Sequence, residues 1–172
     1  PKHPADVFGE QPSPAPAGRS AVALLEGDLP PTLEVQPASR HGPAAIAAII
    51  LAEAERHLGA RYVWGGSDPE TGFDCSGFVQ YVYGKVGIAV PRVTRDQAKV
   101  GSDVPLDRDS FQPGDLLFFA SNGRRIDHVA IYAGDGRIIH APARSSHVRY
   151  DSLWTPEGRW FRERLVKARR VF

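Results

Sequence analysis

The chain has 172 residues, 42% of them hydrophobic, and its 21 Lys and Arg against 20 Asp and Glu leave a formal charge of +1. That is enough apolar material for one good-sized core, and the near balance of charge, with a basic excess only over residues 159–170, gives no footprint for a nucleic-acid partner. A single cysteine excludes an internal disulfide and any zinc-finger or zinc-ribbon cluster, so neither a metal nor another cofactor is expected. No run approaches the ~20 apolar residues of a membrane span. The most apolar stretch, residues 44–54, already contains Glu53. The chain begins at Pro1 with no signal peptide, so a processed form is expected and location has to be argued from chemistry.

Residues 1–43 hold more than half of the fifteen prolines and are otherwise mostly small or polar, which predicts a linker or wrapping arm ahead of one domain at 44–172. Extended at ~3.1 Å per residue, such an arm is long enough to lie across a cleft. A first helix is predicted after Pro43 from Ile46, Ile50, Ala54 and Leu58 at four-residue steps, ended by Gly59. The second is the clearest: Cys75, Phe78, Val79, Val82, Tyr83 and Val86 form one apolar stripe, with Asp74 placed to cap its start and Gly87 its end. A short helix over 94–100 with Thr94 as N-cap comes next, then a turn at Gln112-Pro113-Gly114-Asp115. Strands follow at 116–120, 127–133 and 137–141, and a last one at 160–166. Helices first and an antiparallel sheet second define an α+β domain.

Cys75 falls in the first turn of its helix, where unpaired N–H groups and the helix dipole favour thiolate over thiol. The stripe alone favours a buried, inert thiol. Its neighbours, Gly72-Phe73-Asp74-Cys75-Ser76-Gly77, are small and polar and point to access for another molecule, Gly77 being a poor helix former. A nucleophile needs a base. Of the six histidines, His3 and His41 lie in the arm, His57 near a helix end and His147 in an Arg/Ser-rich loop, whereas His128 and His140 lie in strands.

In a strand, residues of equal parity share a face, so His128, Ala130 and Tyr132 point one way. With a three-residue turn at Gly134-Asp135-Gly136, Ala133 pairs with Arg137 and Ala130 with His140. His128 and His140 are then diagonal neighbours on one face, roughly 7 to 8 Å apart. A two-residue turn would put them on opposite faces and spoil the arrangement.

The motifs Arg61-Tyr62-Val63-Trp64-Gly65-Gly66, Phe73-Asp74-Cys75-Ser76-Gly77, Pro91-Arg92, Pro113-Gly114-Asp115-Leu116, Asp127-His128-Val129-Ala130-Ile131-Tyr132 and Ile139-His140-Ala141, in this order, resemble the NlpC/p60 family of cell-wall cysteine peptidases, in flavour its actinobacterial Rip-type endopeptidases. The resemblance covers about seven-tenths of the chain, residues 44–166. It implies a papain-like α+β fold with the cysteine helix packed on a central antiparallel sheet. It also implies a triad of Cys75, His128 and His140, with Tyr62 bordering the oxyanion hole. The implied substrate is the peptidoglycan stem peptide, cut at the D-γ-glutamyl-meso-diaminopimelate bond, by a secreted or wall-located enzyme expected to act as a monomer. On that reading Arg92 meets a substrate carboxylate or forms a structural salt bridge. Asp74 and Ser76 bind a substrate amine or hydroxyl, Asp74 being at the same time a good N-cap. Two other readings keep the fold: an acyltransferase or amidase on another amide, which calls for a hydrophobic groove and an anchor, and a wall-binding scaffold, which calls for loss of the nucleophile or its base.

Overall fold

The computed structural model describes residues 42–172; the expected arm at 1–43 lies outside the described residues except for its last two. Helix α1 (Pro43–Glu55) starts one residue before the expected domain boundary, with Pro43 in its first turn, where the missing N–H costs nothing. It buries Ala47, Ile50 and Ala54 and stops before Leu58, which stands exposed. After two short paired strands, β1 (Ser67–Asp68) and β2 (Gly72–Phe73), comes α2 (Cys75–Lys85). Its expected cap is present: the Asp74 carboxylate accepts from the Gly77 N–H at 2.7 Å.

Helix α3 (Thr94–Gln97) is shorter than expected, and its N-cap is Val93, so Thr94 is already inside the helix and its hydroxyl is free for another partner. Strands β3 (Ser102–Asp103), β4 (Leu116–Phe119), β5 (His128–Gly134), β6 (Arg137–His140), β7 (Arg149–Ser152) and β8 (Leu165–Arg170) form one sheet in the order β3-β8-β4-β5-β6-β7, every neighbouring pair antiparallel. The strand expected over 160–166 is instead α4 (Arg159–Arg164) running directly into β8. A one-turn-apart Arg159–Glu163 ion pair at 2.5 Å suits the helical reading of that segment.

Alternation in the strands separates two cores. Leu116, Phe118, Val129, Ile131 and Ile139 pack with the α1 and α2 residues Ile50, Phe78, Val79 and Val82. Leu117, Phe119, Ala130, Tyr132 and Ile138 pack on the other face with Leu153 and Ala168, closed over by Phe161. All these strand residues are fully or almost fully buried, each worth about 1.5 to 3 kcal/mol for its larger side chains.

The β5–β6 hairpin reaches the expected facing by a different route. The turn has two residues, Asp135 (φ 52°) and Gly136 (φ 75°), both left-handed as a type I′ turn requires. Gly134 therefore pairs with Arg137, not Ala133 as expected. The register then slips between Tyr132 and Gly134, so that Tyr132 pairs with Ile138 and Ile131 with Ile139. One extra residue in β5, a bulge at Ala133, supplies the shift that a three-residue turn would have supplied.

A buried ion pair ties β4 to β8. Asp115, wholly buried at the head of β4, accepts from Arg170 Nε at 2.7 Å and Nη2 at 2.8 Å, and from the Gln112 N–H at 2.8 Å. Asp115→Ala leaves Arg170 without its partner and is expected to lower the unfolding free energy by about 3 kcal/mol in urea denaturation. A loss within error of zero would contradict a structural role for the pair.

Candidate active site

A cleft of about 1110 Å³ opens at the N-terminus of α2 and is lined by Cys75, His128, Tyr62, Thr94 and Arg92 among others. The Cys75 Sγ lies 4.0 Å from the carbonyl oxygen of Asp127, the residue before His128, and 3.7 Å from Thr94 Oγ1. Burial pushes the thiol above its ordinary pKa; the Thr94 hydroxyl and the Val129 and Ser76 N–H groups oppose that shift without overcoming it. The first-turn position therefore does not by itself hold the sulfur as a thiolate.

His128, the first residue of β5, has its Nε2 2.7 Å from Nδ1 of His140, the last residue of β6, their rings 5.0 Å apart and nearly perpendicular. The expected pairing of the two imidazoles on one face is thus present. His140 is fully buried and its Nε2 lies 2.8 Å from Asp151 Oδ2. Asp151, on β7, pairs with Ile138 in register, which makes it the diagonal neighbour of His140. Burial raises the Asp151 carboxyl, but hydrogen bonds and charge from His140 and Arg149 together hold it below the usual range. Arg149 reaches the same oxygen through Nε at 2.9 Å and Nη2 at 2.8 Å. Phe119 and Phe161 wall the pair, their centroids 5.9 Å from His128 and 5.3 Å from His140. Burial, then the neighbouring His140, pull His128 down to about 3, so it is neutral across the neutral range.

The other expected residues divide. Tyr62 lines the cleft, and burial followed by the charges of Cys75 and Asp74 raises its hydroxyl, keeping it a donor. Asp74, Ser76 and Arg92 are also brought together here, but on one another: Arg92 Nη1 and Nη2 donate to the two Asp74 oxygens at 2.9 and 2.8 Å, to Ser76 Oγ at 3.0 Å and to the Gly66 carbonyl at 3.2 Å. The salt-bridge alternative for Arg92 is the one this geometry carries, since the fork that was to meet a substrate carboxylate is spent inside the protein. Gly77 likewise serves packing, not substrate access: a Cβ there would overlap the Gly66 carbonyl oxygen. His57 bonds Glu53 at 2.9 Å and stacks edge-on with Phe73 and Tyr81, away from the cleft lining. Sequence reasoning missed Asp151, Thr94 and Phe161. The signal for Asp151 was an acidic residue in an alternating Arg-Tyr-Asp-Ser run soon after His140.

Fold and site together define an α+β domain with a partly buried thiol and, from a hydrogen-bonded imidazole pair, His128 lining one cleft. The NlpC/P60 family profile matches residues 59–170, and the chain belongs to that family. It is 40% identical over 124 residues to the bifunctional muramidase/DL-endopeptidase CwlT of Bacillus subtilis, covering 71% of this chain and 36% of that protein. It is 41% identical over 125 residues to the murein DD-endopeptidase MepH of Escherichia coli, covering 72% of this chain and 45% of that protein. The chain thus spans less than half the length of either relative. Among solved structures, the NlpC/p60 domain of the peptidoglycan hydrolase SagA superposes with a TM-score of 0.61 at 40% identity, over 72% of this chain and 97% of that one.

Two outcomes test this geometry. An unfolded chain binds a proton on imidazole near 6.5, while folded His128 is held down to about 3, so between these values the unfolded chain binds more protons and acid favours unfolding. The melting temperature is expected to fall between about pH 7 and about pH 4 and to fall less in His128→Gln; an equal fall in both contradicts a neutral, partly buried His128. Gly77→Ala is expected to cost about 1 to 3 kcal/mol, seen as a lower melting temperature, and an unchanged melt contradicts the close approach of Gly66.

Proposed function

We propose that this chain is a peptidoglycan endopeptidase that hydrolyses an amide of the stem peptide, the D-γ-glutamyl-meso-diaminopimelate bond, with Cys75 as nucleophile, His128 as base and His140 orienting it. The observation that carries the reading is the thiol set against the backbone beside His128, in a cleft where His128 is hydrogen-bonded to His140. His128 takes the Cys75 proton as sulfur attacks the amide carbon, then delivers it to the leaving amine as the C–N bond breaks. Water attacks the resulting thioester, giving its proton to His128 and thence to sulfur, and the carboxylic acid leaves. The Cys75 N–H, which as a first-turn amide has no helical partner, and the Tyr62 hydroxyl supply donors for the oxyanion. Asp74, Ser76 and Arg92 form the wall of the cleft. Arg95 and Arg144 also line it and meet no carboxylate among the described residues, which suits a stem rich in carboxylates.

The relatives CwlT and MepH carry DL- and DD-endopeptidase names, so both bond classes belong in the assay. Action on the wall places the enzyme outside the membrane, as a secreted or wall-located protein. Among the described residues no helix is long and apolar enough to cross a membrane. Incubating defined cross-linked muropeptides with the chain and weighing the products by mass spectrometry reports activity and bond together. The expected result is a fragment ending at D-glutamate, absent with Cys75→Ala. Equal product from both proteins would overturn the thiol mechanism, and products cut only at the cross-link would move the bond to the DD class.

A further inference from the structure

We propose that Asp151 is a positioning residue that fixes the tautomer of His128 through His140, and that Arg149 tempers its charge. The inference rests on the triad reading above and extends it one residue further from the thiol. An ionised carboxylate only accepts, so the 2.8 Å contact makes His140 Nε2 the N–H donor to Asp151 Oδ2. A neutral His140 then has a bare Nδ1, which at 2.7 Å must accept from Nε2–H of His128. That leaves the other nitrogen of His128, Nδ1, without a proton and free to take the one on Cys75. Had His140 carried its proton on Nδ1, its Nε2 would face the carboxylate lone pairs unpaired, and His128 would be forced into the opposite tautomer. One carboxylate thus sets the proton positions on two imidazoles, much as the third member of a triad sets that of a single one.

The same carboxylate stabilises the imidazolium that forms when His128 accepts the thiol proton, and Arg149, bonded to the same oxygen, opposes this. His140 contacts Asp151 of β7, which in turn pairs with Arg149; Phe119 of β4 stands against His128 and Phe161 of α4 against His140, and Cys75 and Asp127 line the same cleft as His128. Arg149 is also a lining residue of the cleft, so the relay ends on a group that substrate can reach.

The test needs no wall substrate, which separates its failure from failure of the proposed function. The chain has one cysteine, so alkylation by iodoacetamide reads Cys75 alone. In ¹⁵N-histidine NMR spectra of the wild type, His128 is expected as the Nε2–H tautomer, and in Asp151→Asn as a mixture. Alkylation near pH 7 is expected to fall on the order of 10²-fold in Asp151→Asn. Asp151→Glu is expected to restore part of the rate. Arg149→Gln is expected to shift the His128 titration upward where Asp151→Asn shifts it downward, because one removes a positive and the other a negative neighbour. For the endopeptidase reaction, Asp151→Asn should lower kcat and leave KM near its wild-type value. A wild-type His128 protonated on Nδ1 would overturn the proposal even if Asp151→Asn failed to fold. Shifts of the same sign in Asp151→Asn and Arg149→Gln would also overturn it, since loss of mere packing has no charge sign.

Discussion

The hydrogen bond between His128 and His140 is the contact on which the site depends. It joins the first residue of β5 to the last residue of β6, so it exists only in one strand register. In that register Ile131 and Ile139 face the helices, Tyr132 and Ile138 face the second core, and both histidines fall on the second face. A slip of one residue would exchange the cores and separate the imidazoles together. Stability and chemistry are therefore specified by the same alternation of side chains.

The thiol is held from the other layer. Asp74 caps α2 and pairs with Arg92, and the Gly66 carbonyl accepts from both the Asp74 N–H and Arg92, so the loop before the helix, the helix start and the segment leading to α3 are locked to one another. Gly77 is the residue that lets the loop come this close. Burial raises the thiol and lowers the His128 imidazole, so both shifts favour the neutral forms.

Much of this was legible in the sequence, and the misses have physical causes. The cysteine helix was readable because six apolar residues mark one face and Asp74 caps it. The facing of His128 and His140 was readable from parity, yet the turn was misread, since a two-residue turn with a bulge and a three-residue turn give the same register beyond Tyr132. Residues 160–166 read as a strand because a one-turn helix feeding directly into β8 leaves too few periods to tell 3.6 from 2. Thr94 read as a cap because a hydroxyl at a helix start most often is one, whereas here it faces the Cys75 sulfur. Asp151 gave only a weak signal because β7 is a polar, half-buried edge strand, and its partner is fixed only by the three-dimensional register of β6.

In the proposed mechanism His140 acts through orientation of His128, and His140→Phe tests this most directly, since phenylalanine fills the space against Phe161 but offers no nitrogen. Steady-state kinetics on a defined stem peptide, with the melting temperature as a control for folding, should show kcat reduced on the order of 10²-fold with KM little changed. A folded His140→Phe enzyme with wild-type kcat would contradict it.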